Sequence, residues 1–247
     1  MKDLVISPCS NPELTLEEAL RAYSALGVTK FEAFSGWVKS ALDFEKDPAP
    51  YVELARKYSM RFTSFHLPQV DENLDASLAR AIKAARFAAA AGAGIVIFKA
   101  KKRDLFKRAG KPFLDAIAGL KITPVLQNHK GTAISTLNDY REVLDGLADP
   151  RMQTVLEVGQ FHSVGVWWRD GYEFLKGRIA LVHIKDQIGS QSVPFGTGEI
   201  NLPGLFRHMR EVGYTGDYVI EMEVKDRENT PQYLADAVKF IETKCRT

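Results

Sequence analysis

Residues 154–184 read TVLEVGQFHSVGVWWRDGYEFLKGRIALVHI. Two β-rich apolar runs, Thr154 to Val158 and Ile179 to Ile184, bracket a stretch of helical spacing from Trp168 to Leu175. Strand, helix and strand within about 30 residues form the unit that builds a parallel sheet through a right-handed crossover. Each run carries a residue that an apolar strand does not need, Glu157 in the first and His183 in the second.

The same unit recurs in both directions. Strands are expected at Leu4 to Ser7, Thr29 to Phe34, Arg61 to Phe65, Ile95 to Phe98 and Thr123 to Leu126, and again at Tyr218 to Met222. Between them, Thr15 with Glu18 three residues on predicts a capping box opening a helix that runs to Gly27. A loop holding Trp37 leads to a helix ending near Ser59. Asp71 to Ala91 is helical, with Leu74, Leu78, Ile82 and Ala85 on one face. Phe106 to Leu120 and a segment carrying Leu137, Tyr140, Val143 and Leu144 follow; Pro203 opens a later helix, and Gln232 to Cys245 is the last. Eight alternations in 247 residues match the size of one (β/α)8 TIM barrel, read as a single domain over 1–247. An open doubly wound sheet would carry a Gly-rich phosphate turn after its first strand, where this chain has Ser7-Pro8-Cys9-Ser10.

Hydrophobic residues are 45% of the chain, enough for a sizeable core, and 33 basic against 31 acidic residues leave a net charge of +2. That balance gives no electrostatic case for nucleic acid or an anionic membrane as a partner. Cys9 and Cys245 are too few for a disulfide framework and fit a reducing compartment. No apolar signal segment follows Met1, and Phe87 to Phe98 is too short to span a bilayer. A cytoplasmic location is expected, with a homo-oligomer left open.

In a barrel of this kind, function collects at the C-terminal ends of the strands. Four of the five histidines, His66, His129, His162 and His183, fall at predicted strand ends, as do Glu157 and Glu221; His208 lies inside a helix. Glu32 takes a similar place on the second strand. Buried carboxylates must be protonated, paired or metal-bound. Glu157, His183 and Glu221 come from three consecutive strands, and their convergence favours one divalent ion. Manganese is placed first, with magnesium, cobalt or zinc as the other candidates for such a ligand set. His66, His129 and His162 stand between substrate contact and structural hydrogen bonding. Trp37 and Trp168 stand between loop packing and stacking on a sugar face.

The run Val182-His183-Ile184-Lys185-Asp186, then Gly196-Thr197-Gly198-Glu199-Ile200, then Gly213-Tyr214-Thr215-Gly216 leading to Ile220-Glu221, resembles the xylose-isomerase-like barrel superfamily. Gln127-Asn128-His129, Glu157 and Phe65-His66-Leu67-Pro68 add to the resemblance, which covers essentially the whole chain. The group includes sugar and sugar-phosphate isomerases and epimerases and the endonuclease IV group. It implies four metal ligands, Gln127, Glu157, His183 and Glu221. Where family epimerases have two glutamates that act both as ligands and as bases, this chain has Gln127 and Glu221. A glutamine can ligate but accepts no proton at neutral pH. Where they place a histidine after the sixth strand, this chain has Gln160, with His162 two residues further on.

The resemblance implies an isomerase or epimerase acting on a sugar or keto-sugar through an enediolate. Glu221 would be the base, with His66 and Lys185 stabilising oxyanion charge. Elimination of a leaving group from a keto-sugar or keto-glycoside is the alternative. An endonuclease IV-like phosphodiesterase and a non-catalytic sugar-binding barrel rank below it.

Overall fold

The computed structural model describes residues 3–245. Eight parallel strands close into a barrel: β1 (Leu4–Ile6), β2 (Lys30–Phe34), β3 (Arg61–His66), β4 (Ile95–Ile97), β5 (Thr123–Leu126), β6 (Gln153–Glu157), β7 (Ile179–Ile184) and β10 (Tyr218–Ile220). A separate antiparallel hairpin, β8 (Asp186–Ile188) with β9 (Gln191–Val193), projects after β7. The ring closes because β1 pairs with β2 on one side and with β10 on the other.

Side chains alternate across a strand, so every second residue points into the barrel. Val5, Ile97, Val125, Val155, Leu181 and Val219 are at most 1% exposed and fill its interior as one apolar plug. The residue two positions beyond each plug member is Ser7, Lys99, Gln127, Glu157, His183 or Glu221. A polar layer therefore sits directly on the apolar one, at the C-terminal ends of the strands. The larger core lies outside the strands, under the helices.

The capping box at Thr15 forms, and α1 (Leu16–Ser24) ends before Gly27, whose φ of 74° turns the chain toward β2. Two elements go beyond the expectation from sequence. α6 (Val158–His162) starts directly at the end of β6, and five residues are too few to display a helical period. The β8–β9 hairpin arises in the segment after His183, where the two strands have three residues each. The last barrel strand ends at Ile220, short of Met222, although Glu221 N–H still donates to Ile184 O at 3.0 Å. No disulfide joins Cys9 to Cys245.

Candidate metal centre and its cavity

The short ends of β6, β7 and β10 bring Glu157, His183 and Glu221 together, with ligand atoms all within 4.8 Å of one another. The register explains it: Glu157 pairs with His183, and Val219 pairs with His183 from the other side. His183 Nδ1 lies 3.0 Å from Glu157 Oε2 and 3.1 Å from Glu221 Oε1. Gln127 Nε2 is 3.3 Å from the same nitrogen and 3.2 Å from Glu157 Oε2. One ring nitrogen offers at most one proton, so three polar groups converge on a place that a single hydrogen cannot satisfy. Among the described residues, the buried Glu157 Oε1 has no hydrogen-bond partner. Turned over, the Gln127 amide directs its oxygen to the same spot. Two carboxylates, an imidazole and an amide oxygen make a donor set that fits a divalent cation.

The charges agree. Burial disfavours a charged His183, yet Glu32 and Glu221 outweigh it and hold the imidazole well above its usual range. Burial likewise raises Glu221, and Lys185 and His183 overcome it, leaving the carboxyl well below the usual range. Lys185 Nζ donates to Glu221 Oε2 at 2.6 Å and to Glu223 Oε2 at 2.7 Å. Lys185 is 1% exposed and does not line the cavity. It meets Glu221 directly and lies outside the cavity lining, whereas the sequence suggested a role in stabilising oxyanion charge.

Glu32 supports the far side of His183. It is fully buried, with Oε1 3.2 Å from His183 Nε2 and Oε2 3.3 Å from His66 Nε2, and it accepts from Ser64 Oγ at 2.9 Å. A carboxylate behind an imidazole fixes which ring nitrogen faces forward. The position alone suggested something polar here; its contact with His183, across the barrel, has no local signature.

Above the cluster opens a cavity of about 240 Å³. Of the residues singled out from sequence, Trp37, His66, Gln127, His129 and Glu221 line it. His66 stacks on Phe34 with ring centroids 3.9 Å apart and planes at 9°. Trp37 is 64% exposed at the mouth, has a φ of 58°, and meets Phe34 edge-on at 5.4 Å. Gln160 reaches the cavity and accepts from Lys130 N–H at 3.0 Å.

Two candidate residues lie outside this cavity. Helical rotation along α6 carries His162 away from the cavity that Gln160 lines; its Nε2 is instead 2.9 Å from Glu199 Oε2. Trp168 opens α7 (Trp168–Leu175), is 7% exposed, and packs against His208 at 5.6 Å in the helix layer. It has no wall in the cavity. Lys99 does line it, and period-two counting from Ile97 on β4 would have marked that lysine.

The fold and the layered polar cluster define the class, a (β/α)8 barrel with its candidate site at the C-terminal ends of the strands. Residues 20–244 match the model for the xylose isomerase-like TIM barrel, and the chain belongs to that family. It is 24% identical over 147 residues to L-ribulose-5-phosphate 3-epimerase UlaE of Salmonella paratyphi C, a match covering 58% of this chain. The chain thus spans about half, 51%, of the length of that curated relative. The crystal structure of the probable 3-DHS dehydratase AsbF from Bacillus anthracis superposes with a TM-score of 0.81 at 12% identity, covering 98% of this chain and 99% of that one. The IOLI protein, whose crystal structure is described with a binding zinc atom, superposes with a TM-score of 0.75 at 14% identity over 96% of each chain.

Proposed function

We propose that this chain is a divalent-metal-dependent isomerase or epimerase that removes a proton from the carbon beside the carbonyl of a small keto-sugar. The observation that carries the reading is the convergence of Glu157, His183, Glu221 and Gln127 on one point at the floor of a cavity that Glu221 also lines. The relative named as a sugar-phosphate epimerase and the zinc-binding structural neighbour support it.

Glu157, His183, Glu221 and the Gln127 oxygen would hold the ion, manganese before magnesium, cobalt or zinc. When bound, such an ion supplies Lewis acidity that lowers the cost of negative charge beside the reacting carbon. Glu221 takes the proton, and the electron pair left behind forms an enediolate. Lys185, clamped between Glu221 and Glu223, keeps the base ionised and fixes its direction. His66, braced on Phe34, and His129 offer hydrogen bonds to substrate hydroxyls. The exposed ring of Trp37 offers a face to the C–H side of a sugar.

Elimination is the second reading, and Gln127 favours it. An amide in place of a second base suits loss of a leaving group after a single proton abstraction, and one structural neighbour is the probable 3-DHS dehydratase AsbF.

Deuterium uptake from heavy water tests both. With manganese, the protein is expected to exchange the proton beside the carbonyl of at least one ketose, and Glu221→Gln to slow this roughly 100-fold or more. A panel of ketoses that shows no exchange sinks both readings; release of a leaving group selects elimination.

A further inference from the structure

Glu221 and Gln127 leave the chemistry one-sided. If Glu221 takes a proton from one face of a carbon, inversion needs a donor on the other face, and an amide is not one. The cavity lining holds a group that the site described above does not use. Lys99 follows β4 and continues the inward face of Ile95 and Ile97 by the two-residue period. Among the lining residues it is the only lysine or arginine.

Its place in the ring is what matters. In the closed order, three strands (β5, β6, β7) separate β4 from β10 one way round, and three (β3, β2, β1) the other way. Lys99 and Glu221 therefore rise from diametrically opposite staves and line the same cavity. Among the described residues no hydrogen bond or salt bridge holds the Lys99 ammonium. Of the other lining side chains, His66 lies against Phe34 and has Glu32 at Nε2, His129 has Lys130 O 3.0 Å from Nδ1, and Gln160 accepts from the Lys130 amide.

We propose that Lys99 is the second acid–base residue of this site, delivering a proton to the substrate face opposite Glu221. The inference rests on the enolising function proposed above. The Glu221 carboxylate takes the proton as the C–H bond breaks, and the electron pair passes into the enediolate. The Lys99 ammonium then forms the new C–H bond on the far face of the same carbon. One proton has entered and one has left, so the product is the epimer and no oxidant or reductant is consumed. Proton exchange with solvent recharges Lys99 and discharges Glu221.

The surroundings suit a donor that must also release its proton. Burial lowers the ammonium to about 8, partly offset by the negative charge of Glu32. His66 stands on the same side, and Glu221 and Glu223 are the carboxylates in the cavity lining.

The experiment follows two signals in heavy water with the manganese-loaded protein and a ketose that it exchanges. One is deuterium uptake into the starting epimer; the other is appearance of the opposite epimer. Lys99→Met is expected to keep uptake within a few-fold of the unmodified protein while inversion falls by about 100-fold or more. Lys99→Arg should behave the same way, because a guanidinium is too weak an acid to replace the ammonium. Retained uptake itself certifies the fold of either variant. Inversion at the unmodified rate in either variant overturns the proposal. So does loss of uptake and inversion together at an unchanged melting temperature, since Lys99 would then belong to the step of Glu221. Exchange without any epimer, or with only a released leaving group, in the unmodified protein also overturns it, while leaving enolisation standing. Absence of exchange from every ketose removes the underlying function instead.

Discussion

At the end of β5, Gln127 stands beside Glu157 and His183 where a carboxylate would add a third negative charge. In the proposed site, two glutamates and a neutral imidazole would carry −2, so a divalent ion would be neutralised but not over-neutralised and would remain a strong Lewis acid. His183 must surrender its proton to ligate. Glu32 and Glu221 hold that proton on the ring well above the usual range, so under the proposed function proton and cation would compete for one nitrogen. The sign follows: affinity for manganese falls with acid and climbs about tenfold per pH unit through neutrality, until the imidazole is neutral. Calorimetric titration at several pH values checks this, and a flat profile contradicts it. In the same titration Gln127→Glu is expected to bind manganese about tenfold tighter or more, by restoring the missing charge.

Among the elements, the segment after β7 shows two sequence motifs acting as one device. The Asp186 carboxylate accepts from the backbone N–H groups of Gln187 (3.0 Å), Gly196 (2.9 Å), Gly198 (2.9 Å) and Ile200 (3.2 Å). The run ending in Asp186 and the Gly-Thr-Gly-Glu-Ile run are therefore a carboxylate and the turn folded around it. Gly198 is required there, since a Cβ would lie 2.2 Å from Asp186 Oδ1. Asp186→Ala leaves four donors without this acceptor and is expected to cost about 3 kcal/mol in urea unfolding; a loss below about 1 kcal/mol would show that the turn holds by other contacts. Both runs were legible as motifs, but their joint purpose was not, because ten or more residues separate Asp186 from the donors Gly196, Gly198 and Ile200.

For the whole molecule, a cation bound in the proposed site would add ligand bonds across the strand ends of β6, β7 and β10, which ladder hydrogen bonds and the His183 contacts to Glu157 and Glu221 already join. Manganese at 100 times its dissociation constant is expected to stabilise the fold by about 2.7 kcal/mol. In a chain of this size that raises the melting temperature by about 5–10 °C, and a chelator should reverse the gain in a calorimetric scan. An unchanged melting temperature would mean that no ion joins these strands. The sequence alone determined the βα alternation and the polar residues at strand ends, because apolar period, caps and turns are properties of neighbouring residues. It left Trp168 and His162 open, because their direction depends on where short helices start. Only the tertiary structure decided which strand ends meet: Glu32 behind His183, Lys185 against Glu221, and Lys99 across from it. Those relations exist once β1 closes onto β10, a pairing between segments more than 200 residues apart that no local pattern records.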